Sequence, residues 1–383
     1  MCYSINYGLI IPNGKFGKTM QEKLDIYKGK RILVTGHTGF KGSWLSIWLN
    51  ELGAQVIGYA LNPYTEKDNF VVSNLSDKII DIRGDVRDYN KLKEVFGKHK
   101  PEVVFHLAAQ SLVIEGYNSP KETYDVNIGG TVNVLENCRL SKSVRIIINI
   151  TSDKCYENKE WVWGYRETDR LGGYGPYSSS KACSELVTKA YRNAFFKLEN
   201  HKYHGKVLSS VRAGNVIGGG DWRRDRIVPD CIRSLEKGEP IHVRNPFSTR
   251  PWQFVLEPLG GYLLLGASMF ENVEKYRGAW NFGPTSSSII TVKELVTLLL
   301  NKYGTGSWDH RPYQRPIQEA THLSLDISKA RFTLGWGPCL PIEEAVGKTV
   351  DWYKSYKDNP NMYNFCKHQI LEYMEKWSSD GSN

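Results

Sequence analysis

The residues Tyr177-Ser178-Ser179-Ser180-Lys181 carry the most telling chemical spacing in this chain. On a helix, positions i and i+4 lie on one face about one turn (~5.4 Å) apart, so the Lys181 ammonium can stabilise a Tyr177 phenolate across the gap. That lowers a tyrosine pKa from its usual ~10 toward neutrality. A tyrosine so tuned can take a proton from a sugar or alcohol hydroxyl while a hydride leaves the same carbon. The spacing alone also fits a surface Tyr and Lys on an amphipathic helix. A second cluster, Thr151-Ser152-Asp153-Lys154-Cys155-Tyr156, directly follows the apolar run 144–150. In open parallel sheets, ligands bind at the carboxyl ends of the strands.

Hydride chemistry needs a carrier, and the chain offers a place for one. Lys30-Arg31-Ile32-Leu33-Val34-Thr35 reads as a buried strand, Gly36-His37-Thr38-Gly39-Phe40-Lys41-Gly42 as a glycine turn, and Ser43-Trp44-Leu45-Ser46-Ile47-Trp48-Leu49 as the start of a helix. Glycines let the backbone approach a pyrophosphate closely, and the helix N-terminus presents unpaired N–H groups to it. The other reading is a turn that only permits a tight strand-to-helix corner. A Walker loop is excluded because Lys41 precedes Gly42-Ser43 instead of standing between a glycine and the hydroxyl residue.

Strand-like runs near 31–35, 55–59, 78–82, 102–107, 145–150 and 206–211 alternate with helical stretches near 39–53, 88–98, 120–140 and 176–198. This is the pattern of an α/β protein with a doubly wound parallel sheet and a smaller mixed α/β substrate-binding region. The division expected is an N-terminal extension at 1–28, a dinucleotide-binding domain at 29–212 and a mainly substrate-binding region at 213–383, with the chain crossing between the last two. Residues 1–19 read as loosely packed, with Met20 a natural start.

With 40% apolar residues among 383, the chain can bury one large core or two modest ones. Its net charge of +9 suits acidic small molecules, but the basic residues are dispersed, which argues against nucleic acid. The seven cysteines form no C-x-x-C pair and no metal spacing, so free thiols and no metal are expected. No apolar run approaches about 20 residues and the N-terminus lacks the pattern of a signal peptide, so no membrane contact and a cytoplasmic location are expected.

Together with Gly84-Asp85-Val86-Arg87-Asp88, Val104-Phe105-His106-Leu107-Ala108-Ala109-Gln110 and Asn127, in that order, these motifs resemble the extended short-chain dehydrogenase/reductase family over about residues 30–356. The glycine turn, residues 151–156, Trp161-Val162-Trp163-Gly164-Tyr165-Arg166-Glu167, the segment 211–222 and Arg250-Pro251-Trp252-Gln253 are similar to its nucleotide-sugar 4,6-dehydratase branch. The resemblance implies bound NAD, a cytidine diphosphate glucose substrate, net loss of water and a role in deoxysugar supply for surface polysaccharide.

It also implies roles for individual residues. Tyr177 is the redox base, Lys181 holds the nicotinamide ribose, and Ser152 hydrogen-bonds the sugar 4-oxygen. Asp153 is the acid for the departing 6-hydroxyl and Lys154 the base at C5, which requires its pKa to be depressed from ~10.4. The cofactor falls to Gly36, Thr38, Gly39, Phe40, Gly42, Asp85, Val86, Leu107, Ala108, Ala109 and Asn127, together with Tyr177 and Lys181. The substrate falls to Gln110, Asn215, Arg244, Arg250 and Glu319, with Arg223, Arg224, Arg226 and His322 as weaker candidates. The helices at 120–140 and 176–198 would form a homodimer contact.

Two departures from the family pattern stand out. Val56-Ile57-Gly58-Tyr59-Ala60-Leu61-Asn62 carries no acid for the ribose and no arginine, which leaves Asn62 as the ribose partner and favours NAD over NADP. Ile114-Glu115-Gly116 and Gly175 also stand where more polar residues are implied. The alternatives are a 4-epimerase or ketoreductase, which needs no Asp153-Lys154 pair, and a non-catalytic dinucleotide sensor, in which Tyr177 or Lys181 would be lost.

Overall fold

The computed structural model describes residues 20–312 and 322–380. The apolar runs become six parallel strands: β1 (Arg31–Thr35), β2 (Gln55–Ala60), β3 (Ile80–Arg83), β4 (Val103–His106), β5 (Ile146–Ile150) and β6 (Val207–Ala213). They lie side by side in the order β3-β2-β1-β4-β5-β6. All five residues of β5, Ile146-Ile147-Ile148-Asn149-Ile150, are buried, as a parallel sheet covered on both faces requires. Alternation sorts the side chains between two cores. Ile32 and Val34 of β1 join Trp44, Trp48 and Phe105 on one face, while Leu33 meets Val104, Val134 and Ile147 on the other. The strand order reverses between β1 and β4, which opens a crevice at their carboxyl ends.

The sheet has a seventh strand that the sequence pattern did not reveal. Gly278–Phe282 pairs in parallel outside β6, with Trp280 opposite Val211. The helix Leu256–Glu271 that leads back to it is buried along most of its length. Residues 20–28, which the sequence suggested were the end of an extension, belong to this same packing. Leu24 and Tyr27 are fully buried, and the Tyr27 hydroxyl donates to the Leu263 carbonyl at 2.6 Å.

Between β6 and the end of the chain, three small ladders stand near the carboxyl edge of the sheet. Val216–Ile217 runs parallel to Gln253–Phe254, Thr249–Pro251 antiparallel to Ile289–Thr291, and Ile241–Val243 parallel to Trp308–His310. The helix Met362–Asp380 lies against the glycine-turn helix Phe40–Glu51, where Tyr373 meets Trp48 edge-on at 5.7 Å and Tyr363 accepts from Asn50 at 2.7 Å. Among the described residues, no helix is long and apolar enough to cross a membrane.

The helical stretch at 120–140 contains a π turn, Asp125–Gly129, between Pro120–Tyr124 and Gly130–Leu140. Such turns concentrate at functional sites because the extra residue re-aims the side chains. The helix Pro176–Ala194 begins on proline after an extended Gly175. It packs on β5 through a polar seam in which Asn149 donates to Ser184 at 3.0 Å and to Thr188 at 2.7 Å.

Candidate active site

The glycine turn is held by its own backbone. Gly36, at a φ of +78°, donates to the Tyr59 carbonyl, and a Cβ there would stand 2.8 Å from the Ala108 nitrogen. A Cβ on Gly42 would run into the Gly36 carbonyl. Both positions therefore need glycine for the helix to start this close to β1 and β4. Thr38 donates to the Leu61 carbonyl at 3.0 Å, which ties the turn to the end of β2. Gly39 remains exposed and Phe40 half-buried at the mouth of the crevice. These residues and the half-buried Leu107, Ala108 and Ala109 at the end of β4 form a groove of backbone and small side chains. Its chemistry fits a dinucleotide pyrophosphate.

Across the crevice, Ser152, Asp153 and Lys154 follow β5 directly, with the first two buried and Lys154 half-buried. Ser152 donates to Asp153 Oδ1 at 2.9 Å and lies within hydrogen-bonding reach of the Tyr177 phenol. Burial pushes Tyr177 up to about 12, and the Ser152 contact pulls against it; Asp153 raises it further and Arg226 lowers it. Burial likewise pushes Lys181 down to about 8. Desolvation therefore governs both groups, and the direct lowering of Tyr177 by Lys181 inferred from their spacing is not the leading effect.

Two cations that the sequence reading undervalued reach this centre. Arg226 donates to Asp221 Oδ2 and to Ser111 Oγ, both at 2.7 Å. Lys41, in the first turn of the glycine-turn helix, interacts electrostatically with Arg226, Asp153 and Lys181. Burial and the neighbouring Arg226 push it down to about 8. The signal for it in the sequence is a lysine inside the glycine turn.

A buried ion pair supports the catalytic loop from behind. Arg212 on β6 makes two 2.9 Å bonds to Glu185 of the helix Pro176–Ala194, and both side chains are 3% exposed. Glu185 accepts from Thr151 at 2.6 Å, and Arg212 donates to the Tyr156 hydroxyl at 2.6 Å. Both ends of the segment 151–156 are therefore anchored to one pair. Burial alone would raise Glu185, but Arg212 holds it below the usual carboxylate range.

Several candidates turn out to be engaged with the protein itself. The Gln110 side chain donates to Thr123 Oγ1 at 2.9 Å and to the Leu112 carbonyl, and it accepts from the Leu112 N–H, so it buttresses the turn after β4. Asn127, in the π turn, bridges the Gln110 backbone and Ser180 Oγ. The Asp85 carboxylate holds Arg87 in two bonds of 2.6 and 2.9 Å, while Val86 packs on Gly130. Arg244 pairs with Asp225 at 3.1 Å, and Arg223 lies over the Tyr64 ring. His322 caps the loop of Asn158 and Glu160 through its backbone. Glu319 lies outside the described residues.

The remaining candidates converge on Asp153. The Asn215 carbonyl accepts from Gln253 N–H at 3.0 Å, which brings Asn215 beside the short strand Gln253–Phe254 that follows the one bearing Arg250. At Gly214 an added Cβ would meet Asp153 Oδ2 at 3.1 Å and Pro251 at 3.5 Å. Acid, asparagine and arginine segment thus meet at one end of the crevice. The two glycines in unusual places are also linked by packing. A Cβ on Gly116 would press on Tyr177 at 3.0 Å, and one on Gly175 on the Tyr117 hydroxyl at 2.7 Å. Both let the helix Val113–Asn118 close over the start of the tyrosine helix.

Sheet order, glycine turn and the Tyr177–Lys181 helix define the class. The chain belongs to the extended short-chain dehydrogenase/reductase family. The family model for GDP-mannose 4,6 dehydratase matches residues 33–203. The CDP-glucose 4,6-dehydratase of Salmonella typhimurium is 47% identical over 351 residues, covering 91% of this chain and 98% of that one. Among solved structures, an epimerase of Methanothermobacter thermautotrophicus superposes with a TM-score of 0.74 at 25% identity, over 90% of this chain and 97% of that one. The dTDP-glucose 4,6-dehydratase of Bacillus anthracis, in complex with NAD, shares the fold with a TM-score of 0.69 at 20% identity, over 86% of this chain and 98% of that one.

Proposed function

We propose that this chain is a hydro-lyase that converts CDP-glucose to CDP-4-keto-6-deoxyglucose and water. The observation that carries this reading is the end-to-end similarity to a CDP-glucose 4,6-dehydratase, together with an acid, Asp153, seated beside Ser152 and the Tyr177 phenol. The glycine turn 36–42 and the end of β4 would hold NAD, which would supply a transient oxidation with no net consumption of cofactor. Tyr177, steadied by Ser152, takes the proton of the 4-hydroxyl. The resulting 4-ketone acidifies the C5 proton, which Lys154 removes while Asp153 protonates the departing 6-hydroxyl. Asn215 and Arg250 take the diphosphate, since a guanidinium fork matches phosphate oxygens. In this reading, residues 213–383 mainly serve the substrate and residues 29–212 mainly serve the cofactor.

Mass spectrometry after incubation with a panel of nucleotide hexoses tests the assignment. CDP-glucose should lose one water without consuming added cofactor. Substrate deuterated at C4 should give a product with the label in its new methyl group, and reaction in heavy water should label C5. Return of the label to C4 would identify an epimerase, and label in free NADH an ordinary dehydrogenase. Either result would remove Asp153 and Lys154 from these roles.

We also propose a cytoplasmic homodimer. The helices of 120–140 and 176–194 leave Tyr124, Leu140 and Leu186 exposed, as is Phe195 directly after the second. A second copy would cover this face as a four-helix contact. Light scattering at micromolar concentration should give twice the chain mass, and a monomer would exclude the contact.

A further inference from the structure

At the rim where an adenosine ribose would rest, the second strand ends without an acid and an arginine stands close by. In dinucleotide-binding sheets, a carboxylate at the end of the second strand grips the ribose hydroxyls of NAD, whereas a nearby arginine accommodates the 2′-phosphate of NADP. Here β2 ends in Ala60, followed by Leu61 and Asn62, both exposed. The nearby acids are all engaged. Asp68 accepts from Tyr64 N–H and from Thr65, Asp81 from His37 Nε2 and Arg83, and Asp221 from Arg226.

The arginine missing from the second strand arrives from the third. Parallel register sets Arg83 beside Ala60, and its Nη1 donates to the Leu61 carbonyl at 3.3 Å. That same carbonyl accepts from Thr38 of the glycine turn, so the guanidinium stands one residue from the pyrophosphate cradle. Phe70 supports its plane at 4.7 Å and Asp81 holds Nη2 at 2.8 Å. The side chain is still 35% exposed. Arg223, which lies over Tyr64 at 4.1 Å, lines one small cavity with Asn62, Thr38 and Gly39. Arg83 and Arg223 therefore each stand within reach of the Leu61–Asn62 end of β2, and Asn62 contributes no repulsion.

We infer that this ribose site admits a 2′-phosphate, with Arg83 as its principal cation, so that the chain binds NADP as well as NAD. The proposed reaction tolerates this. Hydride taken from C4 returns at C6, net oxidation is zero, and the chemistry makes no demand on which nucleotide pool provides the carrier.

Calorimetry with NAD and NADP on the full chain freed of nucleotide tests the inference without relying on turnover. NADP should bind within about thirtyfold of NAD. Arg83→Gln should weaken NADP by about tenfold or more, the scale of one charge-assisted hydrogen bond, while leaving NAD nearly unchanged. Asn62→Asp, on an exposed loop, should weaken NADP and preserve or strengthen NAD. NADP binding more than about thirtyfold weaker than NAD would overturn the inference. So would an Arg83→Gln effect equal for both nucleotides. Failure of NAD itself to bind would instead overturn the dinucleotide site on which the inference rests.

Discussion

Tyr177→Phe is expected to lower kcat by about 10²–10⁴, the range for a lost general base, with NAD binding nearly intact. The phenol ring sits 8% exposed at the start of its helix, so removing the hydroxyl leaves packing unchanged and deletes only the proton acceptor and its Ser152 contact. Burial also gives the prediction a pH signature. With the phenol pushed up to about 12 and Lys181 pushed down to about 8, a working phenolate at neutral pH requires positive charge brought close to the phenol. Arg226 is placed to supply part of that charge. Removing it with Arg226→Gln should therefore move the alkaline-favoured limb of the kcat profile upward. Tyr177→Phe should abolish that limb. Turnover within about tenfold of the parent in Tyr177→Phe would take the tyrosine out of the mechanism.

Arg212→Met should destabilise the fold by about 3–5 kcal/mol, because it leaves the Glu185 carboxylate buried without its partner. Urea unfolding would show this as a lowered midpoint with an unchanged slope. Replacing both members with apolar residues of similar volume, Glu185→Leu with Arg212→Met, should recover most of the loss, since the desolvation cost of two charges disappears with them. Turnover should not recover with stability, because Thr151 and Tyr156 each lose one of their side-chain bonds at the two ends of the Ser152–Asp153–Lys154 turn, keeping those to Val211 and Asn281. A double variant that regains both would make the pair purely structural. A single variant that costs less than about 1 kcal/mol would mean that Glu185 is not held as an ion.

Features set by local spacing were legible in the chain itself. β1, its glycine turn and the following helix are contiguous, and Tyr177 with Lys181 needs only one helical turn. Within that range even the element limits fell close, with β5 at Ile146–Ile150 against the expected 145–150. What depends on register across the sheet was not legible. Arg83 reaches the end of β2 only because Ala60 and Arg83 are opposite in a parallel pair, so scanning the second strand for an arginine missed it. The Glu185–Arg212 pair joins a helix to a strand 27 residues later. Gln110, Asn127 and Asp85, offered by the sequence as ligand-binding side chains, also hold protein partners that the chain order did not reveal, because a buried or half-buried polar atom takes the nearest partner the fold brings to it. Gly278–Phe282 escaped notice because a short strand in a loop-rich stretch becomes a strand only when β6 offers it an edge.

That last strand sets the order in which the polypeptide can mature during synthesis. β6 has no outer neighbour until residue 282 has been made, and the Leu263 carbonyl that receives Tyr27 lies 236 residues downstream of it. A nascent chain that has released everything through β6 therefore presents an unpaired sheet edge and an uncovered apolar face. Such edges template association with other chains. Truncation after residue 213, however well it respects the limits of the nucleotide-binding motifs, should yield aggregate, and folding should wait on contacts of high sequence separation.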